Sequence, residues 1–320
     1  MRRALRSLAL ACSLLTATTG TARAASARGE IALTFDDLPG LSLSDNQAGN
    51  DRTNRTLLRG LKRHHIPAIG FVNEGKLDEG IRRRQVANLK RWVDAGMDLG
   101  NHTFGHDSPN EVGAKAYIAD IARGEPVTRQ LLKARGKRLA WFRHPYLETG
   151  SPEPVKREID GWLSAHGYRI APVTLDANDW EFAEPYDDAV ARHDAAAERR
   201  IRALYLAYTD RAIGWYQQAS QVLFGRQIAY VMLLHDSRLN ADCLDDLAKV
   251  LQRRGLRPVS LTAAMKDPAY AFPDLYAGTD GIDWMERWAL QLHKSLPWDA
   301  WQDPPAEIAA MYARTNGDQR

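Results

Sequence analysis

The sequence predicts an α/β fold in which about seven β/α units curl into a closed or distorted barrel with helices outside. Three observations lead there. Short apolar runs alternate with longer stretches of helical periodicity along most of the 320 residues. No repeat, low-complexity tract or long Pro/Gly/Ser linker interrupts that alternation. The main alternative is a doubly wound open sheet, but no G-x-G-x-x-G follows the first strand to support its dinucleotide site.

Residues 31–35, Ile-Ala-Leu-Thr-Phe, read as a buried strand. Residues 53–64 carry Leu57, Leu58 and Leu61 at helical spacing, and 67–72 form the second strand. A helix over 81–95 ends at Gly96, the common C-terminal stop, before the third strand at 97–100. The spacing then predicts one helix over 114–134, a strand at 139–142, a helix over 154–166 ending at Gly167, and a strand at 168–173. The Ala-, Arg- and Tyr-rich stretch 187–223 reads as wholly helical. Residues 228–234 give the strongest strand signal, followed by a helix over 244–254 and a last strand at 257–261.

Residues 266–320 lack this rhythm. Trp284, Trp288, Trp298 and Trp301 lie there among prolines and acidic residues. Large aromatics usually serve cores, so this tail is expected to pack on the barrel, with a carbohydrate-contacting face as the alternative.

The first 24 residues read as a signal peptide: Arg2, Arg3 and Arg6 precede the short apolar stretch 8–16, and Ala22-Arg23-Ala24 follows as a cleavage site. The apolar stretch is shorter than the roughly 20 residues that cross a bilayer. The expectation is an exported protein, periplasmic or secreted, with no stable membrane insertion after cleavage. Loss of the four arginines in 1–24 takes the formal net charge from +3 to −1, so no nucleic-acid partner is expected. Of the two cysteines only Cys243 then remains, which excludes an intrachain disulfide and makes it a packed thiol. Oligomeric state leaves no trace in the sequence.

In α/β barrels reactive groups sit past the carboxyl ends of the strands. The first strand runs into Asp36-Asp37, adjacent carboxylates whose repulsion needs a cation or a shared proton. The third runs into His102 and His106, an H-x-x-x-H pair expected to project from one face of a helical turn and converge on a metal ion. Two neutral imidazoles and one carboxylate leave an open position, the arrangement of hydrolytic zinc. The same donors also accept cobalt, nickel or iron. Arg143, after the fourth strand, is placed to pair with one of the aspartates. Asp179 follows the fifth strand, and His235 ends the strongest one, where it is placed to protonate a leaving group with its pKa tuned by Asp179.

These clusters, in this order, resemble the five motifs of the polysaccharide deacetylase family, the NodB homology domain of carbohydrate esterase family four. The matching stretches are T-F-D-D at 34–37, H-T-F-G-H at 102–106, R-H-P-Y at 143–146, D-A-N-D-W at 176–180 and L-L-H at 233–235. The resemblance covers roughly residues 30–262 and implies a distorted (β/α)7 barrel. It implies Asp36 as general base, with Asp37, His102 and His106 as ligands of one divalent metal ion, zinc first. Arg143 would orient Asp36, the Tyr146 backbone N–H would hold the oxyanion, Asp179 would tune the general acid His235, and Trp180 and Leu233 would line the acetyl pocket.

The chain is thus expected to hold a catalytic domain over 25–265, with a helical insertion at about 185–225, and a C-terminal extension over 266–320. The expected reaction is hydrolysis of N-acetyl groups on an amino-sugar polymer such as peptidoglycan, a chitin-like oligomer or exopolysaccharide N-acetylglucosamine. An O-acetyl esterase acting on xylan or another glycan is the first alternative, and a catalytically silent carbohydrate-binding relative the second. Three departures from the family pattern bear on the substrate groove. Leu147-Glu148 follow Tyr146 where glycine is frequent, Glu181 follows Trp180 where a basic residue is frequent, and the stretch between Trp180 and His235 is long.

Overall fold

The computed structural model describes residues 29–41 and 47–316. The expected signal peptide, 1–24, lies outside the described residues. The elements are β1 (Gly29–Leu38), α1 (Gln47–Arg63), β2 (Ala68–Val72), α2 (Arg82–Asp94), β3 (Asp98–Asn101), α3 (Pro109–Arg123), α4 (Pro126–Lys133), β4 (Trp141–Phe142), α5 (Glu153–Ala165) and β5 (Arg169–Ile170). They continue with β6 (Leu175–Asp176), α6 (Asp179–Ala191), α7 (Ala195–Phe224), β7 (Tyr230–His235), α8 (Arg238–Arg253), β8 (Leu256–Pro258), α9 (Leu261–Ala264), α10 (Trp284–Leu292) and α11 (Ala306–Asn316).

The strands pair in the order β5-β4-β3-β2-β1-β7-β6, all in parallel, and β8 adds to the beginning of β1. β1 is central and buried from Ile31 to Leu38, as expected of a parallel strand covered on both faces. The sheet curls but does not close by hydrogen bonding. Its two ends, β5 and β6, are joined through residues 171–174 and do not pair with each other. This is a distorted barrel with its helices outside. No helix among the described residues is long and apolar enough to cross a membrane.

Two predicted helices are each split in two. Residues 114–134 hold α3 and α4, separated at Gly124-Glu125 because Pro126 has no N–H to continue the ladder and is tolerated only in a first turn. α3 also starts earlier than predicted, at Pro109, capped by the Ser108 side chain, which accepts from the Asn110 N–H. The long helical stretch holds α6 and α7, interrupted where His193 takes φ 57 and Asp194 caps α7 through the Ala197 N–H. α6 begins at Asp179 itself, so a motif residue stands in the first turn of a helix. The strands at 139–142 and 168–173 shorten to β4 and β5, and the last strand ends at Pro258 before the turn of α9.

The C-terminal segment is helical in α10 and α11. Trp288 is buried with its ring edge-on to Phe224 at 5.3 Å, Trp284 is buried, and Tyr216 of α7 donates to Asp283 at 2.6 Å. Trp301 stands edge-on to Trp215 at 4.9 Å, whereas Trp298 keeps 48% of its surface exposed. Cys243 is a buried free thiol.

Candidate active site

The two adjacent aspartates meet a geometric obstacle. Successive side chains of a regular strand point to opposite faces, so Asp36 and Asp37 should diverge. The pairing of β1 with β2 shifts register between Phe35 and Leu38, and Asp37 takes φ 66, a left-handed conformation that Asp tolerates better than most residues. The irregularity turns both carboxylates toward the same mouth, where His102 Nε2 lies 3.7 Å from Asp36 Oδ2 and 3.8 Å from Asp37 Oδ1.

His102 and His106 do converge, but not from a helical turn. β3 ends at Asn101, and the chain reverses through left-handed Thr103 (φ 67) and His106 (φ 63). The reversal is held by side chains. Asn101 Oδ1 accepts from the Thr103 N–H, Thr103 Oγ1 from the His106 N–H, and Asp120 Oδ2 from the N–H groups of Phe104 and Gly105. His106 Nε2 then stands 3.6 Å from Asp37 Oδ1. Asp37, His102 and His106 each offer one ligand atom, all within 4.8 Å of one another.

These residues fit a divalent ion. Ligand atoms at ~2.0–2.2 Å from one ion lie roughly 3–4 Å apart, and Asp37 Oδ1 stands 3.8 and 3.6 Å from the two imidazole nitrogens. Asp37 Oδ1 is buried and accepts no hydrogen bond. His102 Nδ1 donates to the Arg143 carbonyl at 2.8 Å, so Nε2 carries the free lone pair and faces Asp37. Burial holds both imidazoles down at about 4, hence neutral near pH 7 as ligands must be. Burial alone would raise the Asp37 carboxyl, but the nearby Lys76, His106, His235 and His102 outweigh it and keep Asp37 well below the usual range.

Arg143 is buried and reaches Asp36 Oδ2 with Nη1 at 3.2 Å. Its other donors go to Thr34 Oγ1 at 3.0 Å, the Ala171 carbonyl at 2.9 Å and the Pro172 carbonyl at 3.4 Å, so the guanidinium is fully engaged. Burial still pushes Asp36 up to about 6, against the pull of Arg143. Across the mouth, Asp36 and His235 are register partners on β1 and β7. Asp179 Oδ1 meets His235 Nδ1 at 2.8 Å, and its Oδ2 accepts from the His235 backbone N–H at 2.8 Å and from Asn240 at 2.5 Å. Burial lowers the His235 pKa, but the charge and hydrogen bond of Asp179 outweigh it and bring it to about 9.

Tyr146 follows β4 with φ 55 and Leu147 with φ 58, two consecutive left-handed residues without glycine. Such conformations cost of order 1–3 kcal/mol each and persist where the surroundings enforce them. Tyr146 is 57% exposed, with its ring edge-on to His106 at 4.5 Å. Leu233 sits in a small apolar cluster with Leu147 and Val173. Trp180 is not part of that cluster; its ring stands edge-on to Tyr312 of α11 at 5.1 Å.

Several site residues escape sequence reasoning. Lys76 lies 3.7 Å from Asp37 and donates to the carbonyls of Gly40 and Leu41. Asn240 fixes Asp179 and is itself held by Tyr205 of α7 at 2.7 Å. Val173 joins Leu147, which the sequence places near the groove, in the Leu233 niche. None belongs to a motif, and each reaches the site only through folding.

Comparison with known proteins fits this geometry. The polysaccharide deacetylase family model matches residues 23–170. Just under half of the chain is thus similar to that family. A peptidoglycan-N-acetylglucosamine deacetylase of Bacillus cereus is 26% identical over 155 residues, which are 48% of this chain and 47% of that protein. The chain thus spans about half the length of the curated relative that it matches. Among solved structures, wild-type BA3943 from Bacillus anthracis, a CE4 family pseudoenzyme, superposes with a TM-score of 0.51 at 18% identity, over 75% of this chain and 66% of that one. A BA3943 mutant with restored enzymatic activity gives 0.50 at 19% identity, over 75% and 68%. At these identities the likeness is one of fold, and it agrees with the distorted barrel described above.

Proposed function

We propose that the protein is an exported, metal-dependent hydrolase that removes N-acetyl groups from an amino-sugar polymer and releases acetate. The observation that carries the reading is the meeting, at one barrel mouth, of the Asp37-His102-His106 triad with two flanking pairs, Arg143–Asp36 and Asp179–His235. A divalent cation held by the triad, zinc first, would polarise the acetyl carbonyl and lower the pKa of water bound beside it. Asp36, oriented by Arg143, takes the proton from the attacking water. The Tyr146 backbone N–H donates to the developing oxyanion. His235 gives its proton to the amine nitrogen, which leaves only when protonated, and Asp179 fixes the ring so that Nε2 faces the reaction. The Leu147-Val173-Leu233 niche receives the acetyl methyl group. The name of the Bacillus cereus relative favours an N-acetylglucosamine substrate over an O-acetylated glycan.

The deciding experiment is acetate release from chitooligosaccharides, peptidoglycan and acetylxylan. Release is expected from the first two, abolished by a chelator and restored by zinc or cobalt. No release from any glycan by protein with stoichiometric metal would instead make it a silent binder, the state that the BA3943 likeness keeps open as the second reading. Release from acetylxylan alone would favour the O-acetyl esterase. Asp179→Asn is expected to slow acetate release roughly tenfold or more, short of the ~10²–10⁴-fold lost with a general acid itself. Steady-state rates on the best glycan check this; an unchanged kcat would remove Asp179 from the mechanism.

A further inference from the structure

We infer that the C-terminal segment 274–287 is a positioning device for the loop 145–149, with Arg287 as its central side chain; the inference rests on the deacetylase reading above. The loop needs outside support, because Tyr146 and Leu147 are consecutive left-handed residues without glycine. Its own backbone supplies only the bonds from Leu147 N–H to the His144 carbonyl and from Glu148 N–H to the Pro145 carbonyl.

Ser108 and Asn110 hold the Glu148 carboxylate, and the C-terminal segment holds the peptides of Tyr146 and Leu147. Arg287 is buried and donates through Nη2 to the Leu147 carbonyl at 2.6 Å and through Nη1 to Thr149 Oγ1 at 3.2 Å. The guanidinium is itself aimed by the Ile282 carbonyl, which accepts from Nε at 3.0 Å, by Asp274 at 2.7 Å, and by the Trp284 ring, whose centre lies 4.2 Å away. This fork fixes the Leu147 peptide on one side. On the other, Gly281 runs so close to the Tyr146 carbonyl oxygen that an added Cβ would collide with it. Asn110 ties the loop to the same segment, donating to Glu148 Oε2 and to the Thr279 carbonyl, each at 2.9 Å.

The segment also grips the opposite wall of the niche. The Trp284 N–H donates to the Val173 carbonyl at 2.8 Å, and Val173 and Leu147 flank Leu233. Residues 171–174 bridge the unpaired ends of the sheet, β5 and β6. The barrel therefore lacks a ladder where the acetyl group would sit, and the C-terminal segment supplies fixed backbone contacts in its place. A substrate contact displaced by an ångström loses rate far out of proportion to any change in stability.

The test uses the full chain, with Arg287→Lys, which keeps the charge and loses the fork, and Gly281→Ala, which pushes from the other side. Both are expected to lower kcat for acetate release roughly 10- to 100-fold with KM and zinc uptake near wild type, rates being compared per mole of folded protein because the Tm is expected to fall. Amide hydrogen exchange should quicken at 145–149 and stay unchanged at 102–106 and 233–236. Arg287→Ala is expected to regain kcat on addition of methylguanidine. Unchanged exchange at 145–149 overturns the inference, as does an unchanged kcat, or a loss of kcat that follows a chain-wide rise in exchange. If the wild type releases no acetate while exchange quickens locally in both variants, the positioning stands and the deacetylase reading alone fails.

Discussion

Asp36→Asn is expected to cut acetate release by roughly 10²–10⁴-fold while leaving metal uptake intact. The asparagine keeps the shape of the side chain beside Arg143 but has no basic oxygen to take a proton from water. Asp37, His102 and His106 hold the metal without it, and Asp37 is fixed by Lys76 and by its own left-handed backbone rather than by Asp36. Breaking the Arg143–Asp36 pair leaves a buried guanidinium facing an amide, although Thr34, Ala171 and Pro172 still accept from it. Loss of a buried ionic partner costs up to ~3–5 kcal/mol, so rates are compared per mole of folded protein. Zinc titration and acetate release on the same preparation separate the outcomes. A variant that binds zinc and turns over at wild-type rate would show that proton removal runs through another group.

The second large effect belongs to the metal. His106→Ala is expected to weaken zinc binding by more than the ~10–100-fold typical of losing an outer partner of a metal ligand. His106 is the better probe of the two histidines. Its side chain is partly exposed, whereas His102 is buried and bonded to the Arg143 carbonyl, so truncating His102 would also disturb the β4 end. At a zinc concentration one hundred times Kd, a specific ion stabilises the fold by about 2.7 kcal/mol. The wild type should therefore show a zinc-dependent rise in Tm that His106→Ala loses at the same concentration and Asp36→Asn retains. An equal rise in both histidine-replaced and wild-type protein would place the ion elsewhere.

Much of the site was legible because its chemistry is local. Asp36-Asp37, His102 with His106, Arg143, Asp179 and His235 each follow an apolar run of strand length, and strand ends are where a barrel exposes reactive groups. The geometry behind those letters was less so. An H-x-x-x-H pair suggests a helical turn, yet the turn is built from Asn101, Thr103 and Asp120 side chains, and Asp120 lies well beyond the motif. The helix breaks at Pro126 and at 192–194 were open to turn chemistry, but strong helical periodicity on both sides masked them. Trp180, expected in the acetyl pocket, has Tyr312 as its ring partner, a contact set by where α11 comes to rest.

The sequence by itself determined the α/β alternation, the order of the reactive residues and the donor set for a metal, because hydrophobic period and residue chemistry are properties of short windows. Only the tertiary structure decided that both aspartates face one mouth, that Asn240 and Tyr205 steady Asp179, and that Arg287 holds a loop about 140 positions earlier. These depend on a register shift and on contacts between distant segments. Their free energies are settled when the chain closes on itself, and no local pattern carries them.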